Sequence, residues 1–134
     1  MSRTEPTGPV VTSLGGGHGL YQTLQAARVA GASFINAVVT VADDGGSSGR
    51  LRRELDIVPP GDLRMALASL TADSPEGELW RTTLQHRFGG NGAMAGHAVG
   101  NLLLAGLAEE SGDMQGALDT VARWTGSVGR VIPV

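Results

Sequence analysis

The sequence contains no cysteine and no lysine, and each absence excludes a class of function. Without cysteine the chain has neither a disulfide bond nor a thiolate metal site. Without lysine it cannot form the G-x-x-x-x-G-K-[ST] loop, which excludes a P-loop nucleotide hydrolase. Every basic residue is therefore an arginine, whose planar guanidinium matches the oxygens of a phosphate group.

Excess positive charge and long apolar runs are also missing. The formal net charge is −3 at pH 7, which argues against non-specific binding to nucleic acid or to a membrane surface. No apolar run approaches the roughly 18 residues of a membrane span, so we expect no membrane insertion and a cytoplasmic location. Assembly into a homo-oligomer stays open at this point.

Glycine, in contrast, is abundant, with 21 residues in 134, and its densest cluster is Gly15-Gly16-Gly17-His18-Gly19. The cluster follows the apolar run Val10–Leu14 and precedes a helical pattern over residues 20–30, which predicts a strand, a turn and a helix. Backbone N–H groups at such a helix start bind phosphate well. We therefore predict ligand contacts from Gly15 to Gly19, with a merely tight turn as the alternative.

A second polar stretch follows the next predicted strand, residues 34–42. Strand, helix and strand make a parallel unit, and ligands gather at the carboxyl ends of such strands. Asp43 and Asp44 lie there, and three roles are open: contacts to a ribose or base, a Mg²⁺ site, or a capped turn. Ser47, Ser48 and Arg50 follow in a predicted loop over residues 43–50, and their side chains suit phosphate oxygens.

The remaining chain is predicted to be mainly helical. Asp62 is expected to cap a helix that carries Arg64 towards the ligand, and a largely buried helix is expected over residues 96–107. His97 serves either as an acid–base group or as a structural cap, and Asn101 needs a hydrogen-bond partner within an apolar helix. Further helices are expected to start at Ser74 and Asp113, with Phe88 on the inner face of the first.

Residues 128–134 read as a third strand. Three strands are few for an open parallel sheet, whose usual number is roughly 4–6. The predicted fold is thus a Rossmann-like three-layer α/β/α arrangement with a parallel sheet, as the N-terminal part of a larger doubly wound domain. Within it, residues 1–9 form a flexible leader and residues 10–134 belong to a single nucleotide-binding domain that is truncated.

Five blocks of sequence, in this order and spacing, resemble the gluconeogenesis-factor family (YvcK-like) and its cousins, the 2-phospho-L-lactate transferases (CofD-like). The resemblance covers nearly all residues from Val10 onward. The blocks are Leu14-Gly15-Gly16-Gly17-His18-Gly19-Leu20, Val39 to Arg52 with its Asp43-Asp44-Gly45-Gly46-Ser47-Ser48-Gly49-Arg50 core, Pro59 to Arg64, Gly96-His97-Ala98-Val99-Gly100-Asn101-Leu102, and Gly129 to Val134.

The resemblance implies a bacterial, cytoplasmic protein that binds a nucleotide sugar, especially UDP-N-acetylglucosamine, and regulates cell shape and envelope synthesis during gluconeogenic growth. It implies a binding regulator more than an enzyme, so no catalytic residue is assigned. By position, Gly15 to Gly19 would line the phosphates, Asp43 and Asp44 would lie by the substrate and any metal, and Arg50, Asp62 and Arg64 would surround the cleft.

Three other functions stay open. The first is a Mg²⁺-dependent transferase that passes a phospho-acyl or nucleotidyl group by means of Asp43 and Asp44. The second is an NAD-binding module, against which the absent third glycine of the dinucleotide fingerprint counts. The third is a fragment with exposed apolar surface that is stable only through self-association.

Overall fold

A computed structural model describes residues 7–41 and 45–134, so residues 1–6 of the predicted leader fall outside it. Within these ranges a strand–helix–strand unit comes first, and five helices then separate the second strand from the third. The elements are β1 (Val10–Gly15), α1 (Gly17–Val29), β2 (Phe34–Val39), α2 (Gly46–Leu55), α3 (Gly61–Leu70), α4 (Pro75–Gln85), α5 (Val99–Ser111), α6 (Met114–Trp124) and β3 (Gly129–Pro133).

The three strands form a parallel sheet in the order β1-β2-β3, with β2 in the middle. Gly15 lies beside Val39, and Val39 lies beside Pro133, so the carboxyl ends of all three strands meet at one edge. This is the 3-2-1 order of half a Rossmann sheet, in which ligands bind outside the carboxyl ends. The predicted Rossmann-like fold is confirmed.

The two faces of the sheet differ. On one face Ile35, Val39 and Val131 are buried in the core against leucines of α1, α3 and α6, namely Leu20, Leu24, Leu63, Leu67, Leu70 and Leu118. On the other, Val10 is 65% and Leu14 is 75% exposed. Parallel sheets are normally covered on both faces. The described residues therefore supply one of the two helical layers of a doubly wound domain, as expected for its N-terminal part.

Two predicted helix starts are confirmed by their caps. The Ser74 hydroxyl accepts a hydrogen bond from Gly77 N at 3.0 Å, and Pro75 occupies the first helical turn, where its missing N–H costs nothing. The Asp113 carboxylate likewise accepts from Gly116 N at the start of α6.

The start of α2 corrects the prediction of a loop up to Arg50. The helix begins at Gly46, whose φ is +50°, and Gly49 N donates to Gly45 O at 3.1 Å. Glycine adopts this positive φ without the penalty of a side chain, which allows the chain to enter the helix early. Ser47, Ser48 and Arg50 consequently lie on a helix.

Asp62 is not the cap that the pattern predicted. Helix α3 starts two residues earlier than that cap implies, with Pro60 as its cap, and Arg64 N donates to Pro60 O at 2.8 Å. Pro60, with φ at −87°, is already helical, so the first hydrogen bond of the helix reaches its carbonyl. Asp62 therefore lies inside the first turn.

The segment between α4 and α5 also departs from expectation. Helix α4 ends at Gln85, and Phe88, predicted to line its inner face, is 36% exposed. Phe88 N donates to His97 O at 3.0 Å and Val99 N donates to His86 O at 2.9 Å. This pairing keeps the chain extended, so α5 begins at Val99 and not at Gly96.

None of the helices in the described ranges is long and apolar enough to cross a membrane.

Candidate functional site

A cavity of about 690 Å³ lies at the edge where the three strands end, and we call it the carboxyl-end cavity. The first turns of α1, α2 and α3 all contribute to its wall. Positive partial charge from three helix N-termini is thereby directed at one space, and each such end stabilises a nearby anion by about 0.3–1 kcal/mol. The residues that line it are Gly17, His18, Thr40, Gly45, Gly46, Ser47, Ser48, Gly61, Asp62, Arg64, Met65 and Arg87.

The glycine turn forms the entry to α1. Gly17 has a φ of +60°, a left-handed conformation that favours glycine, and Gly15 O accepts from Thr40 N at 2.9 Å, which ties the turn to the end of β2. Within residues 7–41 and 45–134, the N–H groups of Gly17, His18 and Gly19 have no hydrogen-bond acceptor. These three donors are therefore available to an anion.

The Asp62 carboxylate lies directly over this turn. A Cβ atom added at Gly16 would come within 2.8 Å of Asp62 Oδ2 and 3.1 Å of Thr40 Oγ1. Glycine at position 16 thus leaves the space that the Asp62 carboxylate occupies in this arrangement. A carboxylate at this place accepts hydrogen bonds from hydroxyl groups or binds a cation.

Arg64 brings a guanidinium to the cavity wall although the residue is only 5% exposed. Its Nε donates to Asn101 Oδ1 at 2.9 Å, and a second nitrogen donates to Gln85 Oε1. Gly100 makes room for it, because a Cβ there would lie 2.8 Å from Arg64 Cγ and 2.7 Å from Leu84 O. Helices α4 and α5 therefore fix the direction of this cation.

Asn101, predicted to need a partner, finds it in Arg64. The Asn101 Oδ1 accepts the hydrogen bond from Arg64, so the amide nitrogen of Asn101 points away from Arg64. That Nδ2 is buried and has no hydrogen-bond partner among the described residues.

Ser47, which lines the cavity, forms a buried hydrogen-bonded pair with His97, which does not. The Ser47 Oγ to His97 Nδ1 distance is 2.7 Å, and the two residues are 3% and 5% exposed. Burial lowers the pKa of His97, and the nearby Arg50 guanidinium lowers that pKa further. The backbone of His97 is held by bonds from His97 N to Met94 O and from Phe88 N to His97 O, both 3.0 Å.

The structure brings together most of the residues singled out from the sequence. Those that line the cavity are Gly17, His18, Ser47, Ser48, Asp62 and Arg64. Gly15, Gly16 and Gly19 belong to the same glycine turn as Gly17. His97 and Asn101 do not line the cavity: His97 is hydrogen-bonded to Ser47, and Asn101 is hydrogen-bonded to Arg64. Asp43 and Asp44 lie outside the described residues.

Arg50 makes a different set of contacts. Its guanidinium donates to Ala95 O and Ala93 O, both at 2.8 Å, and it is not part of the cavity wall. In this structure it fixes the glycine-rich segment before α5 to α2.

Sequence reasoning missed Thr40, Gln85 and Arg87. Thr40 had a detectable signal, because it is a hydroxyl residue at the end of an apolar strand, where ligands gather. Gln85 and Arg87 gave none, since their roles depend on how α4 and the following segment pack.

In the part of the chain that the structure describes, no three histidine or acidic side chains lie close enough together to hold a metal ion. The acidic pair Asp43 and Asp44 falls outside that part.

A second cavity, of about 740 Å³, lies near the amino ends of β2 and β3, and we call it the amino-end cavity. Its two arginines already have protein partners. Arg28 donates to Ser69 O at 2.9 Å and to Thr71 O at 2.7 Å, while Arg81 pairs with Glu78 and donates to Tyr21 OH.

A comparison with known families decides the relationship of the chain. The family described as 2-phospho-L-lactate transferase CofD matches residues 11–134. The chain belongs to the CofD family. Proteins named "Putative gluconeogenesis factor" from Mycobacterium tuberculosis and "Gluconeogenesis factor" from Halalkalibacterium halodurans are 65% identical over 124 residues and 45% identical over 123 residues. The resemblance predicted from the sequence blocks is thereby confirmed.

The chain spans little more than a third of the length of these relatives, because the matches cover 92% of it and 36% and 37% of them. A crystal structure of protein BH3568 from Bacillus halodurans superimposes with a TM-score of 0.83 at 44% identity, covering 94% of this chain and 39% of that one. A second structure of that protein describes it as a member of the UPF0052 family. These matches support the CofD-family fold.

Proposed function

We propose that the carboxyl-end cavity binds a nucleotide sugar of the UDP-N-acetylglucosamine type, with its pyrophosphate at the three helix starts. The observation that carries the proposal is the convergence of the first turns of α1, α2 and α3 on one cavity, together with the Arg64 guanidinium. A pyrophosphate carries two negative charges that need several donors, and this wall offers backbone N–H groups, two serine hydroxyls and a fixed cation.

The position of Asp62 supports a sugar-bearing ligand over a bare phosphate. A carboxylate beside the glycine turn repels phosphate oxygens but accepts hydrogen bonds from hydroxyl groups of a ribose or hexose. The cavity volume of about 690 Å³ also lies in the range of small-molecule sites, roughly 300–1,000 Å³.

For the whole protein we propose a regulatory role in gluconeogenic growth, cell shape and envelope synthesis, in the cytoplasm of a bacterium. The names of the relatives support the link to gluconeogenesis. In this role the carboxyl-end cavity binds the nucleotide sugar, and no residue acts as a catalyst.

The direct test is isothermal titration calorimetry of the 134-residue chain with UDP-N-acetylglucosamine, with NAD as the competing ligand. We expect one-to-one binding of the UDP-sugar, loss of that binding in Gly17→Ala, and no heat from NAD. The matched control is Gly112→Ala, which places a side chain at a similar positive φ far from the cavity. Binding of NAD in preference to the UDP-sugar, or of neither, would contradict the proposal for this chain.

The match to a transferase family favours a second function, a Mg²⁺-dependent transfer of a phospho-acyl or nucleotidyl group. Of the described residues, Asp62 offers the carboxylate for a metal at the glycine turn. Repeating the titration with Mg²⁺ and following the UDP-sugar by ³¹P NMR separates the two. Turnover that requires Mg²⁺ would support the transferase, whereas an intact ligand and unchanged affinity would support the regulator.

A further inference from the structure

The Ser47–His97 pair joins the cavity wall to a group that can carry a proton. Ser47 lines the cavity from the first turn of α2. His97 lies on the side of Ser47 away from the cavity, 50 residues later in the sequence and just before α5. The 2.7 Å hydrogen bond is the direct link between the ligand side and the imidazole.

The direction of this hydrogen bond determines what Ser47 offers to a ligand. When His97 Nδ1 bears no hydrogen, the hydroxyl donates to the ring, and the Oγ lone pairs face the cavity. When Nδ1 bears a hydrogen, as it does in one of the two neutral tautomers and always in the imidazolium, the ring donates to Oγ, and the hydroxyl hydrogen is free to point towards the cavity. Only the second arrangement gives a phosphate oxygen a donor at this place.

Burial and then the surrounding charges determine how readily His97 accepts the proton. Arg50 on α2 and Arg87 on the segment after α4 disfavour the imidazolium, and Glu54 on α2 favours it. Arg87 also lines the cavity wall, and the other charged or titratable groups there are His18, Asp62 and Arg64. An anion in the cavity would offset the two arginines near the ring, so binding and protonation favour each other.

We propose that His97, acting through Ser47, takes up a proton when the carboxyl-end cavity binds a phosphate-bearing ligand, so that affinity for such ligands rises as the pH falls. His97 is in this sense a positioning residue, because Ser47 makes the ligand contact. The inference deepens the proposed function and rests on it for the identity of the ligand, while the coupling itself concerns any anion at this site.

The test measures the affinity for UDP-N-acetylglucosamine between about pH 8 and pH 5.5, where its phosphate diesters do not change charge because they lack the second ionisation of a phosphomonoester. Sodium sulfate, compared with sodium chloride at equal ionic strength, serves as a second, non-titrating anion. We expect affinity to rise by about three- to tenfold per pH unit through the titration of His97, the upper limit being that of one coupled proton. In parallel, ¹⁵N NMR of the imidazoles should show that ligand raises the pKa of His97 and protonates Nδ1.

Variants separate this role from a structural one. His97→Asn keeps a donor in the place of Nδ1 but cannot titrate, so its affinity should become independent of pH. Ser47→Ala should lose both affinity and pH dependence, whereas the exposed control His86→Asn should retain the wild-type slope. His18 also lines the cavity, and His18→Asn tests whether the slope belongs to that residue instead.

The outcomes distinguish the two proposals. If ligand binds with the wild-type pH slope in His97→Asn, or if His18→Asn removes the slope, the coupling is wrong while the proposed function stands. If sulfate binds with the expected slope and the UDP-sugar does not bind, the coupling stands and the nucleotide-sugar proposal fails. If neither anion binds the wild-type chain, both are overturned.

Discussion

The two cavities at opposite ends of the sheet have similar volumes, about 690 and 740 Å³, but their polar groups are used differently. At the amino end Arg28 and Arg81 are bonded to carbonyls, a carboxylate and a phenol of the protein itself. At the carboxyl end glycine N–H donors and serine hydroxyls line the wall, and Arg64 is aimed by two amide side chains. Arginine donors are bonded within the protein at both ends, so the difference between the cavities lies in the glycine N–H groups at the start of α1, which have no acceptor among the described residues.

The largest expected effect comes from the glycine that makes room for Arg64. In Gly100→Ala the new Cβ would meet Leu84 O at 2.7 Å and the Arg64 stem at 2.8 and 2.9 Å, so α5 must move away from α4. We expect about 1–3 kcal/mol of lost stability, as for overpacked cores, together with a loss of ligand affinity. Chemical denaturation and calorimetry measure the two effects.

Gly106→Ala is the matched control, since Gly106 lies on the same helix with nothing within 4 Å of its Cβ position. There alanine should stabilise the chain by about 0.5–1 kcal/mol. Equal effects at both positions would show that Gly100 acts only through helix propensity.

Arginine removal at each end should separate folding from binding. Arg28→Ala leaves the carbonyls of Ser69 and Thr71 without their donor, which should cost about 1–3 kcal/mol of stability and leave affinity for the UDP-sugar unchanged. Arg64→Gln removes the cation at the cavity wall, and we expect affinity to fall by at least about tenfold, equivalent to 1.4 kcal/mol. An affinity loss in Arg28→Ala would break the distinction between the two cavities.

A smaller effect is expected from the glycine turn. Gly17→Ala puts a side chain at a φ of +60°, which costs about 1–2 kcal/mol of stability, and it disturbs the donors that face the cavity. Gly112→Ala, at a φ of +86°, should cost as much stability without any change in affinity. Thermal unfolding and titration of both variants would test this, and matching affinities would show that the turn makes no ligand contact.

Sequence patterns predicted the sheet and the glycine turn because both depend on neighbouring residues. Apolar runs, a turn that needs positive φ at Gly17, and the caps at Ser74 and Asp113 are local features. The early start of α2 was missed because its first residues, Gly46 to Gly49, have weak helix propensity, and three of them, Ser47, Ser48 and Gly49, are buried against the rest of the chain. Local signals therefore placed the turn but not the second wall of the cavity.

The partners of the buried polar residues could not be predicted in the same way. Arg64, Gln85 and Asn101 come from three helices, and their hydrogen bonds exist only once α3, α4 and α5 have packed. The assignment of Arg50 to the ligand stays a prediction, and its contacts with Ala93 and Ala95 depend equally on tertiary structure.

The smallest expected effect is a difference in the pH dependence of stability at the two ends. The folded chain lowers the pKa of His97 from 6.5 through burial and the nearby Arg50, so below about pH 6.5 the unfolded chain binds the proton more readily and stability falls. At the amino end, the hydrogen bond from Arg81 lowers the pKa of Glu78 from 4.5. That contribution is present above about pH 4.5 and is lost only as the pH falls below it.

The two windows can be separated by urea denaturation at a series of pH values. His97→Asn should flatten the curve of unfolding free energy against pH between about pH 7 and pH 5. The carboxylates contribute equally to the wild-type and variant curves, so their effect cancels when the two are compared. Glu78→Gln should leave that region unchanged and alter the curve only in stronger acid. If His97→Asn has the wild-type slope near pH 6, the folded chain does not lower the pKa of His97, and burial of this imidazole makes no pH-dependent contribution to stability.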